Sequence, residues 1–176
     1  MKTIKDYILH EKLVLRKGLK GTEHAKFPES KSELIDMIRY ELRNNGLQTS
    51  LNHIDVSKIT DMSNLFSSGY YGYGLDRFNG DISEWDVSSV KNMNEMFHGS
   101  SFTGKQGDIS GWDVSNVTDM NRMFMHSKFK GDLSKWEINE NCDCRNILDM
   151  IDDFPEEYLP VVPKQWDEYI AHLRKK

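Results

Sequence analysis

The chain has 176 residues, of which 38% are hydrophobic, 11% aromatic and 29% charged. This length suits about one domain, and the aromatic content argues against a disordered chain. The 23 basic and 28 acidic residues leave a net charge of −5, so we expect no direct grip on nucleic acid, which needs basic groups to neutralise phosphates. The sequence has no apolar run that suits a membrane span or a signal peptide, which predicts a soluble, cytoplasmic protein that does not engage membranes.

Residues 1–50 are predicted to form an N-terminal helical cap. A short helix is expected around residues 3–12 and a longer one at about 31–44. Ser30 and Glu33 have the S-x-x-E spacing of a capping box, in which each side chain binds a backbone N–H group at the start of a helix. We expect this segment to cover the apolar edge of the repeats that follow.

Residues 51–151 contain an internal repeat. Three copies have the form D-I/L-S-x-W-D/E-V/I after a glycine, and an earlier copy has Ile54 in place of the tryptophan. From Ile54 to Trp85, Trp112 and Trp136 the successive spacings are 31, 27 and 24 residues. Removing the seven extra residues of an insertion at 67–77 and the three of an insertion at 104–107 leaves a basic unit of 24 residues.

A unit of this size cannot bury its own apolar face, so neighbouring units must stack. We predict an α+β repeat solenoid, a short leucine-rich-repeat-like stack of such units with helical caps at both ends. Each unit should supply a short extended piece and then a turn-like or short helical piece, because the V-x-x-M-x-x-M-F spacing places its apolar residues on one side of a helical turn. The predicted repeat core consists of Ile82, Trp85, Val90, Met93, Phe97, Ile109, Trp112, Val117, Met120, Phe124, Leu133 and Trp136.

Three domains are therefore expected. The first is the N-terminal cap at 1–50, and the second is the solenoid of three to four units at 51–151. The third is a loop with a capping helix at 152–176, where an amphipathic pattern ends in basic residues that favour a helix C-terminus.

The sequence predicts no catalytic or metal chemistry. Cys142 and Cys144 are expected to be reduced thiols, because a bridge between them would close almost no loop. Together with His98 and His126 they are weak evidence for zinc, since C-x-C lacks a second pair. The aspartates that recur in each copy favour turn closure by side chain to backbone hydrogen bonds over calcium binding. We expect a protein that is not an enzyme and has no cofactor.

The insertions are the candidate binding surfaces, because insertions in repeat proteins form surface loops. The insertion at 67–77 carries Tyr70, Tyr71 and Tyr73 among glycines and serines, a composition typical of binding loops. The alternative, held equally open, is a loop that packs on its own first repeat. A second candidate surface is formed by the variable residue before each tryptophan, which is Glu84, Gly111 or Lys135. Two cations in the insertions complete the predicted partner-binding set, Arg77 and Lys105.

The pattern F-N-G-D-I-S-x-W-D-V-S-x-V-x-x-M-x-x-M-F resembles the BspA-type leucine-rich repeat of bacterial and mycoplasmal surface proteins. The resemblance covers about residues 51–151 and is closest over 78–88. It implies a leucine-rich-repeat-like solenoid that binds other macromolecules and has no catalytic activity. The chain is similar to small, stand-alone members without a leader, which occur in gut bacteria and their mobile elements.

These observations predict a non-catalytic protein-binding module that acts inside the cell on a protein partner. One more specific alternative is a phage or mobile-element inhibitor of a host defence complex, an anti-CRISPR-like or other anti-defence protein. Its partner would be a host or phage macromolecular complex. A second alternative is a fragment of a cell-surface adhesin.

Overall fold

The computed structural model describes residues 27–151, 153–166, 168, 169 and 171. The short helix expected around residues 3–12 lies outside these ranges. Helix α1, Lys31–Asn45, begins where the side chain of Ser30 accepts a hydrogen bond from the backbone N–H of Glu33. It ends at Gly46, whose φ of 87° suits a residue without a side chain. The buried face of α1 consists of Leu34, Ile35, Met37, Ile38 and the acidic residue Glu41.

The predicted α+β repeat solenoid with helical caps at both ends is wrong. The elements with both ends among the described residues are one α-helix, α1, and two 3-10 helices, and the described residues form no strand. Parallel β pairing is limited there to four isolated bridges, such as the one between Asn92 and Asp119. The described residues of the C-terminal segment form the single turns Glu156–Tyr158 and Lys164–Trp166, and Glu168, Tyr169 and Ala171 are α-helical.

The repeated segments instead form turns joined by register-matched backbone hydrogen bonds. Alternate N–H groups of one copy donate to carbonyl groups of the next, as Met93 donates to Asp119 at 2.7 Å. The N–H groups between them close turns inside their own copy, as Met96 donates to Met93 at 3.1 Å. The donors to the next copy are Met62, Asn64, Phe66 and Ser68, then Met93, Glu95, Phe97 and Gly99, then Met120, Arg122, Phe124 and His126.

Left-handed residues explain why this ladder contains no strand. The third residue of each turn is Asn64, Glu95, Arg122 or Asn146, with φ between 52° and 57°. A residue in this region turns the chain sharply, so the extended conformation of a strand cannot continue through it. It equally prevents a right-handed helix, which the same apolar spacing had suggested. Asn64 and Asn146 are of a residue type that is enriched at left-handed positions, whereas Glu95 and Arg122 carry no such signal in the sequence.

Aromatic side chains form two continuous columns through the stacked copies. Phe66, Phe97 and Phe124 stack with ring centroids 5.3 Å apart at each step. The second column consists of Phe78, Phe102, Phe129 and Phe154, at steps of 6.1, 6.0 and 6.3 Å. The twelve residues that the sequence placed in the repeat core are all at most 4% exposed.

Each repeat tryptophan also bonds the copy before it. The indole N–H groups of Trp85, Trp112 and Trp136 donate to the carbonyl groups of Leu51, Ile82 and Ile109 at 3.0, 3.2 and 2.9 Å. Each of these carbonyl groups also accepts a backbone N–H bond within its own copy, so the indole adds a second hydrogen bond that joins adjacent copies. The first copy has Ile54 at this position, which carries no indole N–H group to donate.

The C-terminal segment lies against the last copy. Leu133 donates to the carbonyl group of Tyr158 at 3.0 Å, and Val161 donates to that of Trp136 at 3.2 Å. Phe154 extends the second aromatic column. No helix in the described part of the chain has the length and apolar character to cross a membrane. The three domain boundaries given above stay a prediction.

The glycine before a repeat lets the backbone of a neighbouring segment approach closely, as at Gly80. A variant at Gly80 and a control variant at Gly111, which has free space around it, test this packing. A Cβ atom at Gly80 would collide with the carbonyl oxygen of Thr49, whereas one at Gly111 would meet nothing within 4 Å. We expect Gly80→Ala to lower the free energy of unfolding by about 1–3 kcal/mol, as overpacking does. Gly111→Ala should change it by at most about 0.5 kcal/mol. Equal urea-unfolding midpoints for the two variants would contradict this packing.

Candidate functional site: the tyrosine loop

The insertion at 67–77, here called the tyrosine loop, presents two aromatic rings to solvent. Tyr70 is 96% exposed and Tyr71 is 73% exposed. Their rings meet edge to face, with centroids 5.3 Å apart and planes at 87°. This arrangement is a favourable geometry for an aromatic pair, so the two rings form one defined surface.

The backbone beneath the two rings is held in a closed turn. The buried hydroxyl of Ser67 accepts a hydrogen bond from the N–H of Gly69 at 3.1 Å. Gly72 donates to the carbonyl group of Gly69 at 2.8 Å. A Cβ atom at Gly72 would collide with the carbonyl oxygen of Ser67, so only glycine fits there. At the far side of the turn Leu75 is buried in the core.

Helix α1 holds the loop through Tyr73. The Nη2 atom of Arg39 donates to the carbonyl oxygen of Tyr73 at 2.9 Å. The Nζ atom of Lys31 lies 5.5 Å from the centroid of the Tyr73 ring, within the range of a cation–π contact. Tyr73 is partly buried and packs against the core. The three tyrosines therefore have two different environments. Tyr73 packs against the protein, and the other two are exposed to solvent.

Neither cation that fixes Tyr73 was found from the sequence. Arg39 and Lys31 are spaced along α1 as ordinary polar-face residues, and nothing in their spacing indicates a contact with a loop more than thirty positions away. Lys31 also donates to Asp61 at 3.1 Å and to Ser63 at 2.7 Å, so it joins α1 to the first repeat. Only the position of the loop beside α1 reveals these roles.

The second predicted surface lies on the repeats themselves. Glu84, Gly111 and Lys135 are exposed at equivalent positions of successive copies. The backbone N–H of Glu84 donates to the Asn52 side chain at 3.1 Å, and the Nζ atom of Lys135 lies 3.4 Å from the Ser110 hydroxyl.

Arg77 and Lys105 are exposed as well. Within the described ranges no hydrogen bond, ion pair or ring contact joins any of these five residues to the exposed tyrosine pair. Their part in binding stays a prediction.

The recurrent aspartates close turns. Asp113 accepts from both the N–H and the hydroxyl of Ser115, at 3.1 and 2.6 Å. The hydrogen bonds from Ser115 lower the pKa of Asp113, because they stabilise the ionised carboxylate. Asp132 has a lowered pKa for the same reason, through Ser134. These carboxylates are structural groups of the repeat.

The two thiols are buried and free. Burial raises the pKa of Cys142 to about 12, and burial together with the charge of Asp143 raises that of Cys144 to about 12. Both are therefore protonated at neutral pH, whereas nucleophilic attack requires the thiolate. The rings of His98 and His126 lie 5.8 Å apart, edge to face, and the described residues contain no group of three or more His, Cys, Asp or Glu side chains that could hold a metal ion.

The geometry describes a repeat protein with an aromatic loop anchored to its N-terminal helix. Residues 35–159 match the family described as "Mycoplasma protein of unknown function, DUF285". The chain belongs to this family, and the match includes most of α1, every copy of the repeat and the tyrosine loop. No curated protein and no solved structure matches the chain.

Proposed function

We propose that the protein is a non-catalytic protein-binding module whose contact site is the Tyr70–Tyr71 pair. The observation that carries this proposal is the exposure of two adjacent aromatic rings, 96% and 73%, on a backbone fixed at both sides. Tyrosine is enriched among residues that dominate binding energy, since it supplies large contact area with few rotatable bonds.

The anchoring of the loop supports the same proposal. A flexible loop loses conformational entropy when it binds, whereas a loop already held in one conformation loses less. Arg39 and Ser67 hold the backbone on either side of the pair without covering its rings. The loop is thus arranged so that a partner can remove two rings from water at low entropic cost.

The repeat type and the cellular compartment of the protein are also proposed. We propose that the repeated segments are of the BspA type in sequence, on the evidence of the D-I-S-x-W-D-V-S pattern. We also propose a cytoplasmic protein, and the two free thiols, Cys142 and Cys144, favour a reducing compartment. An inhibitor of a host defence complex is the specific setting that a small protein-binding module in that compartment would suit.

Affinity capture with two matched double variants tests the proposal. Tyr70→Ala with Tyr71→Ala should weaken binding of the captured partner by at least about 2 kcal/mol, roughly 30-fold. The melting temperature should stay unchanged, because the removed rings make little contact with the core. Glu84→Ala with Lys135→Ala changes the other candidate surface and should leave affinity unchanged.

The opposite pattern would move the contact site to the repeat surface that carries Glu84 and Lys135. A third outcome, a lower melting temperature with intact affinity in the tyrosine variant, would show that the pair stabilises its own loop. Either result would overturn the proposal.

A further inference from the structure

We propose that Met150 is a reversible oxidation site, at which hydrogen peroxide forms methionine sulfoxide and a methionine sulfoxide reductase restores the thioether. In the first step the sulfur attacks the peroxide, an S–O bond forms, the O–O bond breaks and water leaves. In the second step the oxygen leaves as water, and two thiols of the reductase are oxidised to a disulfide. This inference goes beyond the proposed function, because Met150 lies outside the tyrosine loop.

The exposure of the side chains separates Met150 from the other methionines. Met150 is 62% exposed, and Met125 is half-buried. The remaining methionines in the described part of the chain lie in the core and are at most 3% exposed, namely Met37, Met62, Met93, Met96, Met120 and Met123. A peroxide molecule in solution therefore reaches the Met150 sulfur directly, whereas it reaches a core sulfur only when the packing opens.

The register of the repeats explains why this methionine is exposed. Met150 occupies the position that Gly99 and His126 have in the two preceding copies, since Gly99 donates to the carbonyl group of Met125 and His126 donates to that of Asp149. The φ angles of these three equivalent residues lie between 57° and 63°. His126 is exposed as well. The position therefore lies outside the core, whereas the methionines of the V-x-x-M-x-x-M-F pattern point into it.

The two thiols do not compete with Met150 for the oxidant. Cys142 and Cys144 are both buried. Burial raises the pKa of each to about 12, with a further contribution from Asp143 at Cys144. Peroxide reacts with the thiolate, which is scarce at neutral pH for groups of this kind. Met150 is thus the sulfur in the described residues that is most open to attack.

Oxidation at Met150 should leave the fold intact. The hydroxyl of Tyr169 joins the neighbouring residues, because it accepts from the N–H of Leu148 at 3.3 Å and donates to the carboxylate of Asp149 at 3.2 Å. Neither bond uses the Met150 side chain, and its sulfoxide oxygen would be solvated. The same oxygen on the buried Met93 would place a polar group in the core without a partner.

Peroxide treatment of the full chain, followed by peptide mass spectrometry, tests the inference. We expect Met150 to gain one oxygen at least about tenfold faster than any core methionine, because the core must open first. The melting temperature should stay unchanged after this first oxidation. A methionine sulfoxide reductase with dithiothreitol should then return the protein to its starting mass. In concentrated urea, where burial is lost, all methionines should react at similar rates.

A matched pair of variants assigns the fast reaction. Met150→Leu should abolish it, whereas Met93→Leu, the same change in the core, should retain it.

Four results would overturn the inference. They are equal rates at Met150 and Met93 in the folded chain, a cysteine as the first oxidised residue, a lower melting temperature once Met150 carries its oxygen, and a Met150 sulfoxide that the reductase leaves unchanged. The Tyr70–Tyr71 pair takes no part in this reaction, so none of these results bears on the proposed function.

Discussion

Replacing Trp112 by alanine is expected to lower the free energy of unfolding by about 3–5 kcal/mol. The indole is 4% exposed and stacks on Trp136 with ring centroids 6.3 Å apart. The change removes this contact and also the hydrogen bond to the carbonyl group of Ile82. Urea unfolding followed by circular dichroism measures the loss, and Trp136→Ala, which breaks the equivalent bond to Ile109, should cost a similar amount.

A conservative variant separates packing from hydrogen bonding. Trp112→Phe retains a buried ring but removes the indole hydrogen bond to the carbonyl group of Ile82, which keeps the backbone N–H of Trp85 as a donor. We therefore expect a loss of about 0.5–1.5 kcal/mol. A Trp112→Ala protein with the unfolding midpoint of the unchanged chain would contradict the burial of the tryptophans in the repeat core. The tryptophans would then be surface groups and candidates for the binding site.

A chain that stops after Lys130 is expected to aggregate or to lose its cooperative melting transition. The truncation removes Trp136 and the acceptors that bind the N–H groups of Met120, Arg122 and Phe124. It also removes Phe154, so the ring of Phe129 becomes the exposed end of an aromatic column. Stability in stacked repeats depends on the contacts between neighbours, and one such contact is lost completely.

Light scattering and a melting curve measured by circular dichroism test the truncation. A monomeric product with an unchanged melting curve would mean that the copies do not depend on one another. The complete chain, measured at the same concentration, is the control for aggregation.

The sequence predicted which residues are repeated but not the conformation of the repeats. The spacing from Trp85 to Trp112 and Trp136 located equivalent positions, because a shared core imposes the same apolar pattern on each copy. The turns between Asp and Ser residues were also foreseeable from their local hydrogen bonding. The α+β class was wrong because residues such as Glu95 and Arg122 adopt left-handed angles, which nothing in a single sequence marks.

For the tyrosine loop, too, the sequence predicted the kind of segment but not the environment of each side chain. Its composition indicated a binding loop, but it gave Tyr70, Tyr71 and Tyr73 the same weight. Only the contact of Tyr73 with α1, where Arg39 binds its carbonyl oxygen and the ring packs against the core, separates it from the two exposed tyrosines. This contact joins residues that are 34 positions apart, so local sequence rules could not predict it.

Site-specific photo-cross-linking tests whether the tyrosine loop contacts the partner protein. A protein carrying p-benzoylphenylalanine in place of Tyr70 is irradiated in the cells that produce it, and a second protein carries the same group in place of Glu84. We expect a discrete cross-linked protein from position 70 and none from position 84. The product from position 70 should be lost when unlabelled chain is added in excess. Cross-links from position 84 alone would contradict the assignment of the tyrosine loop as the contact site.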